Sequence, residues 1–146
     1  MIKIFSWLCI PAVQAMWLTN TFIKYCIYGK RNLFTKLKKI IIRNSLQKKF
    51  NIIIGDKCQI GDNLLFPHPQ NIVIGTRVII GNNCIIYHDV TLGQNRDNYP
   101  ILGDNIIIYP GAKIIGGIHI GDNVIVGANS VVTKDIPPNK IIFLHF

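Results

Sequence analysis

His68 stands between two prolines in the run Phe66-Pro67-His68-Pro69-Gln70-Asn71, and the fixed φ of each proline limits its excursions. An unperturbed imidazole, with a pKa of about 6.5, is mostly neutral near pH 7 and can accept the proton of a weak nucleophile such as an alcohol. His68 is therefore the first candidate for a general base. The second chemically armed stretch is Gly93-Gln94-Asn95-Arg96-Asp97-Asn98-Tyr99-Pro100, a polar loop with one guanidinium and one phenol. Such a loop could clasp a ligand, and Arg96 suits a phosphate, although a lone surface arginine is commonly only solvated.

Both stretches interrupt a repeat, and the repeat is what must position them. Aliphatic or aromatic residues open units at Ile54, Ile60, Phe66, then Ile74, Ile80, Ile86, Leu92, then Leu102, Ile108, Ile114, Ile120, Val126 and Val132. The step is six residues except twice: eight from Phe66 to Ile74 and ten from Leu92 to Leu102. Two and four residues are thus extruded, and a rigid repetitive scaffold most often carries function where something departs from it. Eight of the 12 glycines (Gly55, Gly61, Gly75, Gly81, Gly93, Gly103, Gly121, Gly127) take the second position of a unit, often before Asp-Asn or Asn-Asn. Glycine and asparagine tolerate the left-handed backbone of tight corners.

The fifth position is small or aliphatic (Cys58, Val78, Cys84, Val90, Ala112, Val124, Ser130), so positions one and five are expected to face inward. A six-residue unit cannot bury its own apolar face, so successive units must stack, each strand pairing with one a full coil away. The expected fold class is mainly β, a solenoid over residues 51–146 with the extruded loop at 94–101, preceded by a helical segment over residues 1–50. In that frame His88 occupies a third position and is expected to point outward at a corner. His119 falls on a variable sixth position, and His145 lies in the tail. Cys58 and Cys84 read as core fillers. With Cys9 and Cys26 they form no C-x-x-C pair, which reads as reduced thiols in a cytoplasmic protein.

At 146 residues the chain is one domain's worth of material. Its net charge of +9 is not spread evenly: residues 1–50 hold ten of the 16 basic residues and none of the seven acidic ones. The remainder is close to neutral, so the basic character belongs to an N-terminal arm rather than to a nucleic-acid-binding face, and no nucleic-acid partner is expected. Ile4 to Ile23 is apolar and nominally long enough to cross a bilayer. Pro11, Gln14, Thr19, Asn20 and Thr21 interrupt it, which favours a buried or surface-lying helix. Over residues 32–50, Leu33, Leu37, Ile40 and Ile41 form one helical stripe, with Lys36, Lys39 and Arg43 on another face. The basic face is either solvated or, through residues 24–49, peripherally attracted to anionic lipid at the inner membrane face.

The [aliphatic]-Gly-x-Asn-[aliphatic]-x units resemble those of hexapeptide-repeat acyltransferases, and that resemblance implies a left-handed parallel β-helix. More closely, His68-Pro69-Gln70-Asn71-Ile72-Val73-Ile74-Gly75, Val90-Thr91-Leu92-Gly93, Tyr99-Pro100, Gly111-Ala112-Lys113-Ile114 and Ala128-Asn129-Ser130-Val131-Val132 resemble, in that order, the serine acetyltransferase-like branch. The resemblance covers residues 50–140. It implies acetyl transfer from acetyl-CoA to a hydroxyl, with no metal, in a homotrimer whose active sites lie between neighbouring solenoids. It further implies that His68 is the general base and that backbone N–H groups near Gly93 and Gln94 face the developing oxyanion. Acetyl-CoA would lie against Gly111, Ala112 and Ala128, with Lys134 near its phosphates, and the loop with Arg96 and Tyr99 would meet the acceptor.

Departures from the branch bear on the acceptor. The aspartate that orients the family's histidine is Ile53 here, the aspartate just before it is Pro67, and the loop's Arg-His pair is Asn98-Tyr99. With that charged clamp missing, the expected acceptor is a sugar hydroxyl, free or lipid-linked, of capsule, O-antigen or exopolysaccharide biosynthesis. The Pro11-Ala12-Val13 segment also resembles the lead-in of shorter, polysaccharide-modifying members. The alternative is serine O-acetylation in cysteine biosynthesis. Pro110 lacks an N–H where relatives often have Ala or Gly, and the chain ends Ile141-Ile142-Phe143-Leu144-His145-Phe146 in place of a Gly-x-Pro-Ala segment. A non-catalytic, decayed solenoid is therefore a further reading. A zinc enzyme of the γ-carbonic anhydrase type is the least favoured, because His68, His88 and His119 lack that family's close histidine pair.

Overall fold

The computed structural model describes residues 33–143. Within them one helix, α1 (Leu33–Phe50), leads into 13 short parallel strands. Strands β1 (Ile53–Ile54), β3 (Val73–Ile74), β6 (Thr91–Gly93), β9 (Lys113–Ile115) and β12 (Val131–Val132) stack as a first sheet. A second holds β2 (Gln59–Ile60), β4 (Ile79–Ile80), β7 (Ile101–Leu102) and β10 (His119–Ile120). The third holds β5 (Ile85–Ile86), β8 (Ile107–Ile108), β11 (Ile125–Val126) and β13 (Ile141–Ile142). The chain visits the three sheets in turn, so each coil is a triangle and the architecture is a parallel β-solenoid.

The pairing register shows where the coils are lengthened. Val73 pairs with Thr91, and Lys113 with Val131, an interval in each case of three six-residue units. Ile53 pairs with Val73 two positions beyond that plain coil, and Thr91 with Lys113 four positions beyond it. These excesses are the residues that the sequence extrudes. Leu65 bridges Ile85 over a coil that already contains both positions of the first excess. The Asp89 N–H bonds the Gln70 C=O with the same offset that Asn123 N–H makes to Asp104 C=O over a plain coil, and the Asn71 amide likewise reaches Asp89 over a plain coil. The first break therefore falls between Phe66 and Asn71, on either side of His68.

Every residue that opens a unit is buried, as are the small or aliphatic fifth-position residues. Apart from Ser130, they form one core with Leu46 and Phe50 of α1. Neighbouring coils are tied at the corners as well as along the strands. Asn63, Asn83, Asn105, Asn123 and Asn139 all have φ between 55° and 60°, the left-handed region that asparagine tolerates better than other side chains. Their amides bond coil to coil at 3.0, 3.3, 3.1 and 3.0 Å. Beside them a second string runs from the Asp62 N–H to Asn82 at 2.9 Å, Asn82 to Asp104 at 2.6 Å and Asp104 to Asp122 at 2.8 Å.

The helix corrects one expectation. Its span agrees with the sequence pattern, but the side chains that dock are Ile42, Leu46 and Phe50, each one turn after the last. Of the expected stripe, Leu37, Ile40 and Ile41 are 49%, 46% and 63% exposed. The solenoid's open end meets the last turns of α1, so proximity to β1 selects the face, and Arg43 pairs with Asp56 there instead of lying on a free basic face. Asn51, at φ 53°, ends the helix, and Ile52 N–H bonds Leu46 C=O at 3.3 Å, a left-handed C-terminal cap that turns the chain into β1. No helix among the described residues is long and apolar enough to cross a membrane. The stretch from Ile4 to Ile23, Cys9, Cys26 and His145 lie outside the described residues.

Candidate active site

The corner between the third and first sheets carries His68. The extruded pair turns tightly, with Gln70 N–H on His68 C=O at 2.9 Å, while buried Pro69 anchors the bulge and leaves His68 exposed. One coil on, two consecutive residues meet its ring. Tyr87 lies at a centroid distance of 6.0 Å, tilted by 43°, and His88 at 5.9 Å, edge-on at 75°. Tyr87 in turn stacks on Tyr109 of the following coil at 5.3 Å and 10°. His68 thus heads a column of rings that climbs the corner.

His88 is the site residue that the repeat position alone misplaces. It is half-buried, its Nδ1 lies out of contact with solvent, and that nitrogen has no hydrogen-bond partner. The signal that could have found it is coil arithmetic: His88 follows His68 by one plain coil plus the two extruded positions. Tyr87 precedes His88, and Tyr109 follows Tyr87 by one plain coil plus the four positions of the second break.

Higher on this corner, Gly111 adopts φ 76°, and a Cβ there would lie 2.0 Å from the Asn129 Oδ1. A side chain would require both an unfavourable backbone and displacement of Asn129, so the position is one that glycine alone fills without strain. Ala128 beside it is exposed. Ala112 is fully buried, so its methyl fills the coil and only its backbone could face a bound molecule. Lys113, the next residue, donates from Nζ to the Asp89 C=O.

The extruded loop sits elsewhere, on the corner between the first and second sheets. Asn95 and Asn98 exchange N–H···O=C bonds at 3.0 Å each, with Arg96 and Asp97 at φ 50° and 62°. That is a two-residue hairpin of the type that needs positive φ at both central positions. Gln94 Oε1 accepts from the Asp97 N–H at 2.7 Å, which braces the turn. Tyr99 is half-buried against the core, its ring against Gly75 of the preceding coil, and Asn98 lies against Gly117 of the next. Arg96 projects from the tip and is exposed.

One chain therefore sorts the expected site residues into two groups. His68, Gly111, Ala112 and Ala128 share the histidine corner, whereas Gly93, Gln94, Arg96, Tyr99 and Lys134 share the loop corner. Sheet one lies between them. From Asp89 to Gly93 is four extended residues, about 13 Å at roughly 3.3 Å each. Ile53 lies on the outer face of that sheet, in register with Val73. Among the described residues no cluster of three or more His, Cys, Asp or Glu is arranged to hold a metal.

Stacked six-residue units with a histidine in a corner bulge define a solenoid transferase of the hexapeptide class. The description "Bacterial transferase hexapeptide (six repeats)" matches residues 99–134. A serine acetyltransferase of Synechococcus elongatus is 32% identical over 139 residues, covering 89% of this chain and 53% of that protein. The crystal structure of Neisseria gonorrhoeae serine acetyltransferase in complex with serine superposes with a TM-score of 0.77 at 29% identity, covering 92% of this chain and 54% of that one. A serine acetyltransferase complex with CoA gives 0.70 at 29% identity, covering 86% and 51%. The chain spans about half, or less, of the length of the curated relatives it matches. It belongs to the hexapeptide-repeat acyltransferases, in their serine acetyltransferase-like branch.

Proposed function

We propose that the chain is an acetyl-CoA-dependent O-acetyltransferase with His68 as general base and L-serine as acceptor. The observation that carries the chemistry is the exposed His68 ring, held in a proline-flanked bulge against Tyr87 and His88 of the next coil. The acceptor rests on the relatives: the Synechococcus elongatus and Neisseria gonorrhoeae proteins are serine acetyltransferases, and the solved structure of the second holds serine. Acetyl-CoA supplies an activated thioester. His68 takes the hydroxyl proton as the new C–O bond forms at that carbonyl, and returns it to the sulfur as the thiol leaves. Gly111 and Ala128 offer backbone for the cosubstrate along the same corner.

The separation of the two groups of site residues supports a homotrimer. Donors near Gly93 and Gln94, the Arg96 tip and Lys134 lie on the far edge of sheet one from their own His68. A neighbouring copy that presents its loop corner to that histidine completes the site.

The relatives named above favour serine over the sugar acceptor expected from the sequence. One observation keeps a sugar hydroxyl acceptor as the second reading: the rings against His68 are Tyr87 and His88, with Ile53 where the branch has a carboxylate. Release of free thiol from acetyl-CoA, with L-serine as sole acceptor, decides between them. Serine-dependent release in the wild type, absent in a folded His68→Ala variant, is the expected result. Acetyl-CoA binding without serine-dependent release overturns serine as acceptor, and a fully active His68→Ala variant overturns the base.

A further inference from the structure

A histidine base needs an acceptor for the N–H of its second nitrogen, because that bond fixes the tautomer and the ring plane while the first nitrogen works on substrate. Ile53 cannot supply one. His68 does, however, touch a second imidazole. The His88 ring lies edge-on at 5.9 Å, and its Nδ1 is buried without a partner. These are independent observations, one of ring geometry and one of an unsatisfied polar atom. A ring needed for packing alone is better made of carbon, since a buried nitrogen without a hydrogen bond costs stability, and native structures keep such atoms mainly where they serve a purpose.

The geometry points to His88 as the positioning residue of the base: its unpartnered Nδ1 accepts the N–H of the His68 nitrogen turned away from substrate. Two imidazoles joined nitrogen to nitrogen have centroids roughly 5 to 5.5 Å apart, so a closure of less than about 1 Å makes the bond. Catalytic hydrogen bonds are often long before substrate binds and tighten in the reacting complex. No proton leaves the pair: His88 keeps its own on Nε2 and orients His68 as a neutral acceptor in place of a carboxylate. This inference rests on His68 being the base.

Two variants of the full chain separate orientation from packing. His88→Gln keeps an acceptor carbonyl without the ring, and His88→Phe keeps the ring without an acceptor. In the acetyl-CoA and L-serine assay, His88→Phe is expected to lose about a hundredfold in kcat with both KM values within about twofold, and His88→Gln to retain more than a tenth of wild-type kcat. The reverse order, with Phe near wild type and Gln impaired, makes His88 a packing ring and overturns the proposal. The ring-nitrogen NMR spectrum of His68 in the wild type reads the same question without turnover. A single tautomer that becomes an average in His88→Phe supports it, whereas an averaged His68 in the wild type overturns it, even where a variant fails to fold or serine is not the acceptor. An active His68→Ala variant is a different failure, that of the base itself.

Discussion

Two corners of the same solenoid show what regularity and its loss each accomplish. Between the second and third sheets, the asparagine corner repeats one conformation from Asn63 to Asn139, each amide bonding the next. Between the third and first sheets, the histidine corner begins likewise, Asn51 bonding Asn71 at 2.6 Å and Asn71 bonding Asp89 at 2.9 Å, and then the ladder stops at Gly111. The bulge with His68 enters just before Asn71, which still bonds Asn51 on one side and Asp89 on the other. Identical rungs add stability coil by coil, and extruding two residues just before a rung admits a unique side chain without breaking the bonds on either side of it.

Substitutions can set the two corners against each other. His68→Ala is expected to lower turnover by at least about a hundredfold while leaving stability within about 0.5 kcal/mol, because the ring is exposed at the surface; thiol release and urea unfolding read the two. Asn105→Leu does the opposite. It removes amide bonds of 3.3 and 3.1 Å and forces a branched side chain to φ 58°, costing roughly 2–3 kcal/mol with turnover per folded molecule unchanged. A loss of turnover equal to that of His68→Ala would break the contrast.

Gly111→Ala tests the histidine corner's own backbone. The left-handed φ of 76° and the approach to Asn129 predict a loss of about 1–2 kcal/mol, together with weaker acetyl-CoA binding by calorimetry. Cys84, inside the asparagine corner, is a milder probe. Burial pushes its thiol above the ordinary 9.0, and the Asp104 and Asp122 carboxylates add to the shift against a backbone hydrogen bond to Ile106. The folded state therefore holds its proton where the unfolded chain loses it, so this residue's contribution to stability is present below about pH 9.0 and falls as pH rises past it. Iodoacetamide is expected to spare Cys84 until urea unfolds the chain, and labelling of the folded protein would show that the corner opens. The smallest effect is expected for Arg96→Ala, within about 0.5 kcal/mol by unfolding. A change in KM there is the outcome expected if the hairpin tip meets substrate in the proposed trimer.

Much of this architecture is legible residue by residue. Ile54, Ile60 and Phe66 announce three faces, Asn and Gly mark the corners, and the steps of eight and ten locate both departures. What misleads is treating each unit alone. His88 reads as an outward corner residue because its unit says nothing of the coil beneath it. Leu37, Ile40 and Ile41 read as a docking stripe because periodicity ranks helix faces without knowing which one meets β1. Nor does the loop's composition reveal that Gln94 and the Asn95–Asn98 pair fold it into a hairpin, with Tyr99 turned back onto Gly75.

The repeat period, the inward positions, the corner chemistry and the place of His68 follow from sequence, because each is enforced within a single unit by backbone preference and burial. The contact of the His68 and His88 rings, the docked face of α1 and the separation of His68 and the loop by sheet one were decided only in three dimensions. Those depend on how much each coil extrudes before the next is laid on it. Stacking carries such excesses across a whole coil, from Val73 to Thr91 or from Thr91 to Lys113, a span that no local rule reads.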